Sequence, residues 1–217
     1  MLGPDFFHRH VFLSALLVIL GNIIPLYGVL FWNWELLDIF YIYWFENVLI
    51  GVTVVVRMAL VAAAWGLAMV IGTIFRIAFF CFHYGLFCFG HGMIMFDIFY
   101  EGPIDINQNA DFLLGYLWES KEGLLYALFG LVAVVFIKAA HDFFQDRRDA
   151  RLPETIMFSP YGRIIVLHLT ILLGGFAAQE LGSPLWALVF LIIFKSGYDF
   201  VMVQDFKFIK ENTDKNA

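Results

Sequence analysis

The chain has 217 residues, of which 62% are hydrophobic and 15% charged, with a formal net charge of −6. Soluble globular domains carry about 45–50% apolar and about 25% charged residues, so this balance excludes one, and 26 Phe are more than a core of this size can hide. The negative charge and the lack of a basic groove exclude nucleic-acid binding.

Crossing a bilayer as a helix takes about 20 apolar residues, so this length has room for about six or seven spans. The reading is an all-α polytopic helical bundle, one membrane domain over residues 1–206, followed by a short polar cytoplasmic tail, 207–217. The first apolar run starts near Val11, outlasts a signal-peptide core and lacks a small-x-small exit, so it reads as the first span. The spans are predicted at 11–31, 36–60, 74–99, 122–144, 162–182 and 184–205. Between them lie the Trp32-Asn33-Trp34-Glu35 turn, the polar segment 100–121, the charged segment 145–160 and the Gly182-Ser183-Pro184 turn. Residues 58–75 are apolar throughout, flanked by Arg57 and Arg76. A seventh span there would have no turn beside it. The favoured alternative is a long second helix, a reversal near Trp65-Gly66 and a third helix entering near Gly72. Cys81 and Cys88 are seven apart on one helix, about 10 Å, and cannot bond to one another.

Six spans put both termini on one side, and the basic residues say which. Arg9, Arg57, Arg76, Arg147, Arg148, Arg151, Arg163, Lys207, Lys210 and Lys215 fall there, against Lys121 alone on the other side. Cytoplasmic loops carry the Lys/Arg excess, so both termini are expected to be cytoplasmic. Trp32, Trp34, Trp118 and Trp186 then gather at the outer interface.

An ionisable residue inside a span is costly and normally faces the bundle interior with a partner. Measured from the inner basic residues, His168 should lie about 8 Å deep, His83 about 10 Å, Asp199 about 12 Å, Glu46 and Lys195 about 16–18 Å and His91 about 22 Å. At 100° per residue these groups form one polar stripe per helix. The second span carries Tyr43, Glu46 and Asn47, the third His83 and His91, the fifth Tyr161, His168 and Gln179, and the sixth Lys195 and Asp199. The expectation is one polar site in the inner half of the bundle. Each residue also has a plainer reading. Lys195 and Asp199 neutralise each other as an i,i+4 pair, Glu46 bonds to Asn47 or Tyr43, and a lone His joins two helices. Lys138, His141 and Asp142 sit where snorkelling explains them.

These residues carry a resemblance. Tyr43-Trp44-Phe45-Glu46-Asn47, His83-Tyr84-Gly85-Leu86-Phe87 with His91-Gly92, Pro160-Tyr161 with Arg163-Ile164 and His168, and Lys195 with Asp199 resemble the motifs of an uncharacterised family of prokaryotic polytopic membrane proteins, a domain of unknown function. The resemblance implies a multi-pass protein of the cytoplasmic (inner) membrane and no particular reaction.

The candidate site is therefore Glu46, Asn47, His83, His91, His168, Lys195 and Asp199, supported by Tyr43, Tyr161 and Arg163. His83, His168, Asp199 and Glu46 are suitable ligands for a transition metal such as zinc or iron. The same groups suit a proton relay. Two alternatives stand beside these: a bis-His haem held by His83 and His168, and a non-catalytic accessory subunit whose Phe-rich exterior meets lipid and a larger membrane complex. No phosphate loop, dinucleotide fingerprint, Gly-x-Ser-x-Gly elbow or Cys-x-x-Cys is present, so nothing points to a soluble enzyme class.

Overall fold

A computed structural model of the chain describes residues 27–28, 30–99, 116, 123–169, 173, 193 and 197. Most of the first, fifth and sixth predicted spans lie outside the described residues, and Gln179, Lys195 and Asp199 with them. Among the described residues all regular structure is helical: α1 (Leu36–Trp65), α2 (Leu67–Phe99), α3 (Leu124–Arg148), α4 (Pro153–Phe158) and α5 (residues 161–169).

α1 begins where the Asp38 carboxylate turns back to accept the Glu35 amide at 2.7 Å, satisfying a donor that the first turn leaves open. The other oxygen of Asp38 accepts the Tyr116 hydroxyl at 2.6 Å, so this fully buried carboxylate ties the helix start to the polar segment that follows α2. Burial raises the Tyr116 phenol above its ordinary range, and the Asp38 carboxylate adds to it. Tyr116 therefore stays a donor at neutral pH.

α1 ends at a single non-helical residue, Gly66, with φ of 101°. A Cβ there would meet nothing within 4 Å, so glycine is required by the backbone angle and not by space. The Gly66 carbonyl accepts the amides of Met69 and Val70, and one residue thus closes α1 and opens α2. The reversal falls where it was expected. α2 begins at Leu67, not near Gly72, because nothing in Leu67–Ile71 resists helix once Gly66 has turned the chain. Residues 58–75 are consequently the tip of a hairpin and not a span of their own.

The two helices return antiparallel. Phe40 stacks on Phe99 with ring centroids 4.7 Å apart, the Trp44 indole donates to the Cys88 carbonyl at 2.6 Å, and the Tyr84 ring lies on Gly51. α3 runs beside α1 in the same direction. Near its start Leu124, Ala127 and Leu128 share a core with Leu37, Phe40 and Tyr41. Near its end Asp146 takes both Nε and Nη2 of Arg57, at 2.9 and 2.6 Å, while Asp142 lies 3.4 Å from Nη1. Leu37 and Arg57 are 20 residues apart, about 30 Å along a helix, which is the thickness of a bilayer's hydrocarbon layer. α1, α2 and α3 are each long and apolar enough to cross a membrane. Past Arg57 and Arg76 the α1–α2 hairpin continues without a charge for about 14–15 Å to Gly66.

The charged segment 145–160 was expected to be a loop, and here the structure differs. α3 runs on to Arg148, the chain turns through Ala150 in the left-handed region (φ 49°), and the Arg151 amide closes the turn on the Asp146 carbonyl at 2.9 Å. Pro153, with its φ already set, then opens α4. Ile156 and Met157 are buried with Val54, Met58, Val61 and Phe80. Apolar residues at i and i+1 of a short helix, with Glu154 paired to Arg76 at 3.2 Å, draw this segment into the bundle.

Asp146 is fully buried and the Arg57 side chain is 10% exposed, so removing one charge strands the other. Asp146→Ala should destabilise the protein in detergent by about 3 kcal/mol, the lower end for a broken buried pair, since Asp142 still compensates Arg57 in part. Thermal or chaotropic unfolding measures this, and replacing both partners (Arg57→Met with Asp146→Leu) should restore most of the loss.

Candidate functional site: a polar layer between α1, α2 and α5

α5 lies against both helices of the hairpin, and its register on α2 is constant. Arg76 meets Glu154, His83 meets Tyr161 with centroids 5.9 Å apart, and His91 meets His168 at 2.7 Å. The residue numbers differ by 78, 78 and 77, so α4 and α5 together run parallel to α2 from the Arg76 end upward.

This register corrects the depth expected for the fifth span. From the sequence, Arg163 reads as a surface cation that marks zero depth for the fifth span. Its Nη2 instead donates to Glu46 Oε1 at 2.7 Å, with the two side chains 22% and 13% exposed. Glu46 is 11 residues, about 16 Å, along α1 from Arg57, so Arg163 reaches midway along the apolar length of α1. The true anchor of that segment is Glu154. His168 is 14 residues beyond it and His91 is 15 beyond Arg76, about 21–22 Å in each case. The polar groups therefore meet in the middle and the Trp34-side half of the bundle, not in the half toward Arg57.

Of the candidate residues, the structure brings together two cross-helix pairs. Glu46 and Arg163 join α1 to α5; His91 and His168 join α2 to α5. The second pair is oriented further, because His91 Nδ1 lies 2.6 Å from the Phe87 carbonyl one turn earlier. His91 is buried and His168 half-buried. His83, expected at the level of His168, is not part of either pair. Its ring stacks on Phe79 at 5.4 Å and packs against Phe87 and Tyr161.

Asn47 lies at the centre of the α1–α2 contact. Its side-chain Nδ2 donates to the Tyr43 carbonyl at 2.8 Å, and its backbone carbonyl accepts the Tyr84 hydroxyl at 3.1 Å. Tyr84 reaches that oxygen because Gly51 is one turn away: a Cβ on Gly51 would stand 2.7 Å from the ring. Among the described residues Asn47 Oδ1 and the Tyr161 hydroxyl are buried without a hydrogen-bond partner. Polar atoms in such a layer normally have one, so these two are open to a further donor or acceptor.

Two contributors had not been singled out as candidates. Tyr84 was noted only as part of a motif, and the signal was a glycine on the facing helix at the matching register. Asp146 was hidden in the charged run Gln145-Asp146-Arg147-Arg148-Asp149, although its i,i+4 spacing from Asp142 marks a shared face. Lys195 and Asp199 lie outside the described residues. No three His, Cys, Asp or Glu come together among the described residues.

Among the described residues these features define an all-helical protein with three membrane-length apolar helices, α1 to α3, and a polar layer where α5 meets α1 and α2. The chain belongs to a family of unknown function, DUF6498, which matches residues 7–215. No curated protein and no solved structure matches it.

Gly51→Val puts carbon atoms where the Tyr84 ring now sits, and the overpacking should destabilise the protein by about 1–3 kcal/mol. Tyr84→Phe, which keeps the ring and loses one hydrogen bond, should cost about 1 kcal/mol. Unfolding midpoints in one detergent compare the two, and a cost for Gly51→Val no greater than that for Tyr84→Phe would show that the helices are not held this closely.

Proposed function

We propose that this is a multi-pass protein of the cytoplasmic membrane, with six spans and both termini inside, whose polar layer binds and releases protons within the bilayer. The observation that carries the reading is the His91–His168 contact. Two imidazoles sharing a hydrogen bond inside an apolar bundle can exchange a proton between them with little motion, and histidine is the side chain whose charge changes near neutral pH. A single His can serve as a structural bond between helices, whereas two facing imidazoles supply both a proton donor and a proton acceptor. Glu46 and Arg163 add an ion pair of opposite charges to the same layer.

Metal binding by His83, His168, Asp199 and Glu46 is the reading with less support. The described members of that set do not converge, and His168 has one ring nitrogen engaged by His91. The haem reading meets the same difficulty, since His168 faces His91 and not His83.

One observation favours a second reading, that of a non-catalytic accessory subunit. Glu46–Arg163 and Arg57–Asp146 are cross-helix ion pairs, and such pairs hold helices together without chemistry. Proteoliposomes separate the two. With a pH-sensitive dye inside and an imposed pH gradient, the wild-type protein should collapse the gradient faster than protein-free vesicles, and His168→Phe should return the rate to theirs. A wild-type rate equal to that of empty vesicles would favour the accessory role.

A further inference from the structure

The geometry of the His91–His168 pair specifies where its protons are. A backbone carbonyl has no proton to give, so His91 Nδ1, 2.6 Å from the Phe87 oxygen, must carry one and donate it. A neutral imidazole holds a single ring proton, and His91 Nε2 is then a bare acceptor. It lies 2.7 Å from His168 Nδ1. Two bare nitrogens at that distance repel, so His168 must carry its own proton on Nδ1 and donate it to His91. The remaining nitrogen, His168 Nε2, is left with a lone pair.

We infer that the neutral pair is locked with both protons on Nδ1, which makes His168 Nε2 the one nitrogen through which it exchanges protons and His91 the residue that positions it. The ligand is a proton donor, water or hydronium. This port deepens the proton-handling reading and rests on it for its use, though the proton positions follow from the contacts alone.

The exchange balances as follows. A donor gives its proton to His168 Nε2, forming a new N–H bond there. The Nδ1–H bond of His168 breaks as that proton moves to His91 Nε2. His168 ends neutral with its proton on Nε2, and the positive charge rests on His91, which now donates to both Phe87 and His168. One proton has been gained. It cannot leave on the far side of His91, because Nδ1 faces a carbonyl that cannot take a proton onward. The pair therefore takes up its proton and gives it back through His168 Nε2.

Nitrogen-15 NMR of histidine in the full-length protein, reconstituted in phospholipid vesicles above neutral pH, reads the ring protons directly. The expected result is Nδ1–H with bare Nε2 at both His91 and His168. In His91→Gln the amide oxygen still accepts from His168 while its NH2 reaches Phe87, so His168 should keep Nδ1–H. In His91→Leu the acceptor is gone, and His168 should shift to the Nε2–H form that imidazole prefers in water. An Nε2–H proton on His168 in the wild type would overturn the inference, and so would loss of the Nδ1–H form in His91→Gln. A normal proton flux with the reversed proton positions would refute the port while sparing the proton-handling reading. The expected positions without flux would do the opposite.

Discussion

A charged group inside hydrocarbon has to bring its partner with it. That constraint fixes how α3 and α5 sit on α1. Arg57 meets Asp146 and Asp142 where α1 passes the end of α3, and Arg163 meets Glu46 where α5 lies against α1. Neither arginine is placed by packing alone, since an apolar face can slide by a turn at small cost, whereas a stranded guanidinium costs several kcal/mol. The ion pairs set the register, and the aromatic packing fills in around it.

The consequence is a layered bundle. One layer of charge joins Arg57, Arg76, Asp142, Asp146, Arg151 and Glu154. About 30 Å away, Asp38 and Tyr116 form the polar boundary at the other end. Between them α4 and α5 climb parallel to α2, which brings Arg163 opposite Glu46 and His168 opposite His91. The small residues serve the same end: Gly66 permits a reversal of one residue, and Gly51 lets Tyr84 approach α1 closely enough to reach the Asn47 carbonyl.

Much of this was legible in the chain. Trp65-Gly66 inside an uninterrupted apolar stretch announces a reversal, and 100° periodicity collects Glu46, His91 and His168 onto inward faces. Pairing was harder to read. A basic residue looks like a surface anchor until its partner is known, so Arg163 was given the depth that belongs to Glu154, and His168 was matched with His83 in place of His91. Asp146 stood in a run of charges where a buried carboxylate has no local mark. Pro153–Phe158 is too short to show a period, and its two buried side chains become visible only against Val54 and Phe80.

The register of α5, parallel to α2, places an ion pair and a histidine pair together between apolar helices of membrane-spanning length. A double-mutant cycle on Glu46 and Arg163 tests it most directly, with unfolding free energies of Glu46→Gln, Arg163→Met and the double variant measured in one lipid–detergent mixture. The account predicts that the two changes are strongly coupled, by about 1–3 kcal/mol, so that the double variant is less destabilised than the sum of the single ones. Additive effects, within about 0.5 kcal/mol, would place the two charges apart and contradict the register on which the site depends.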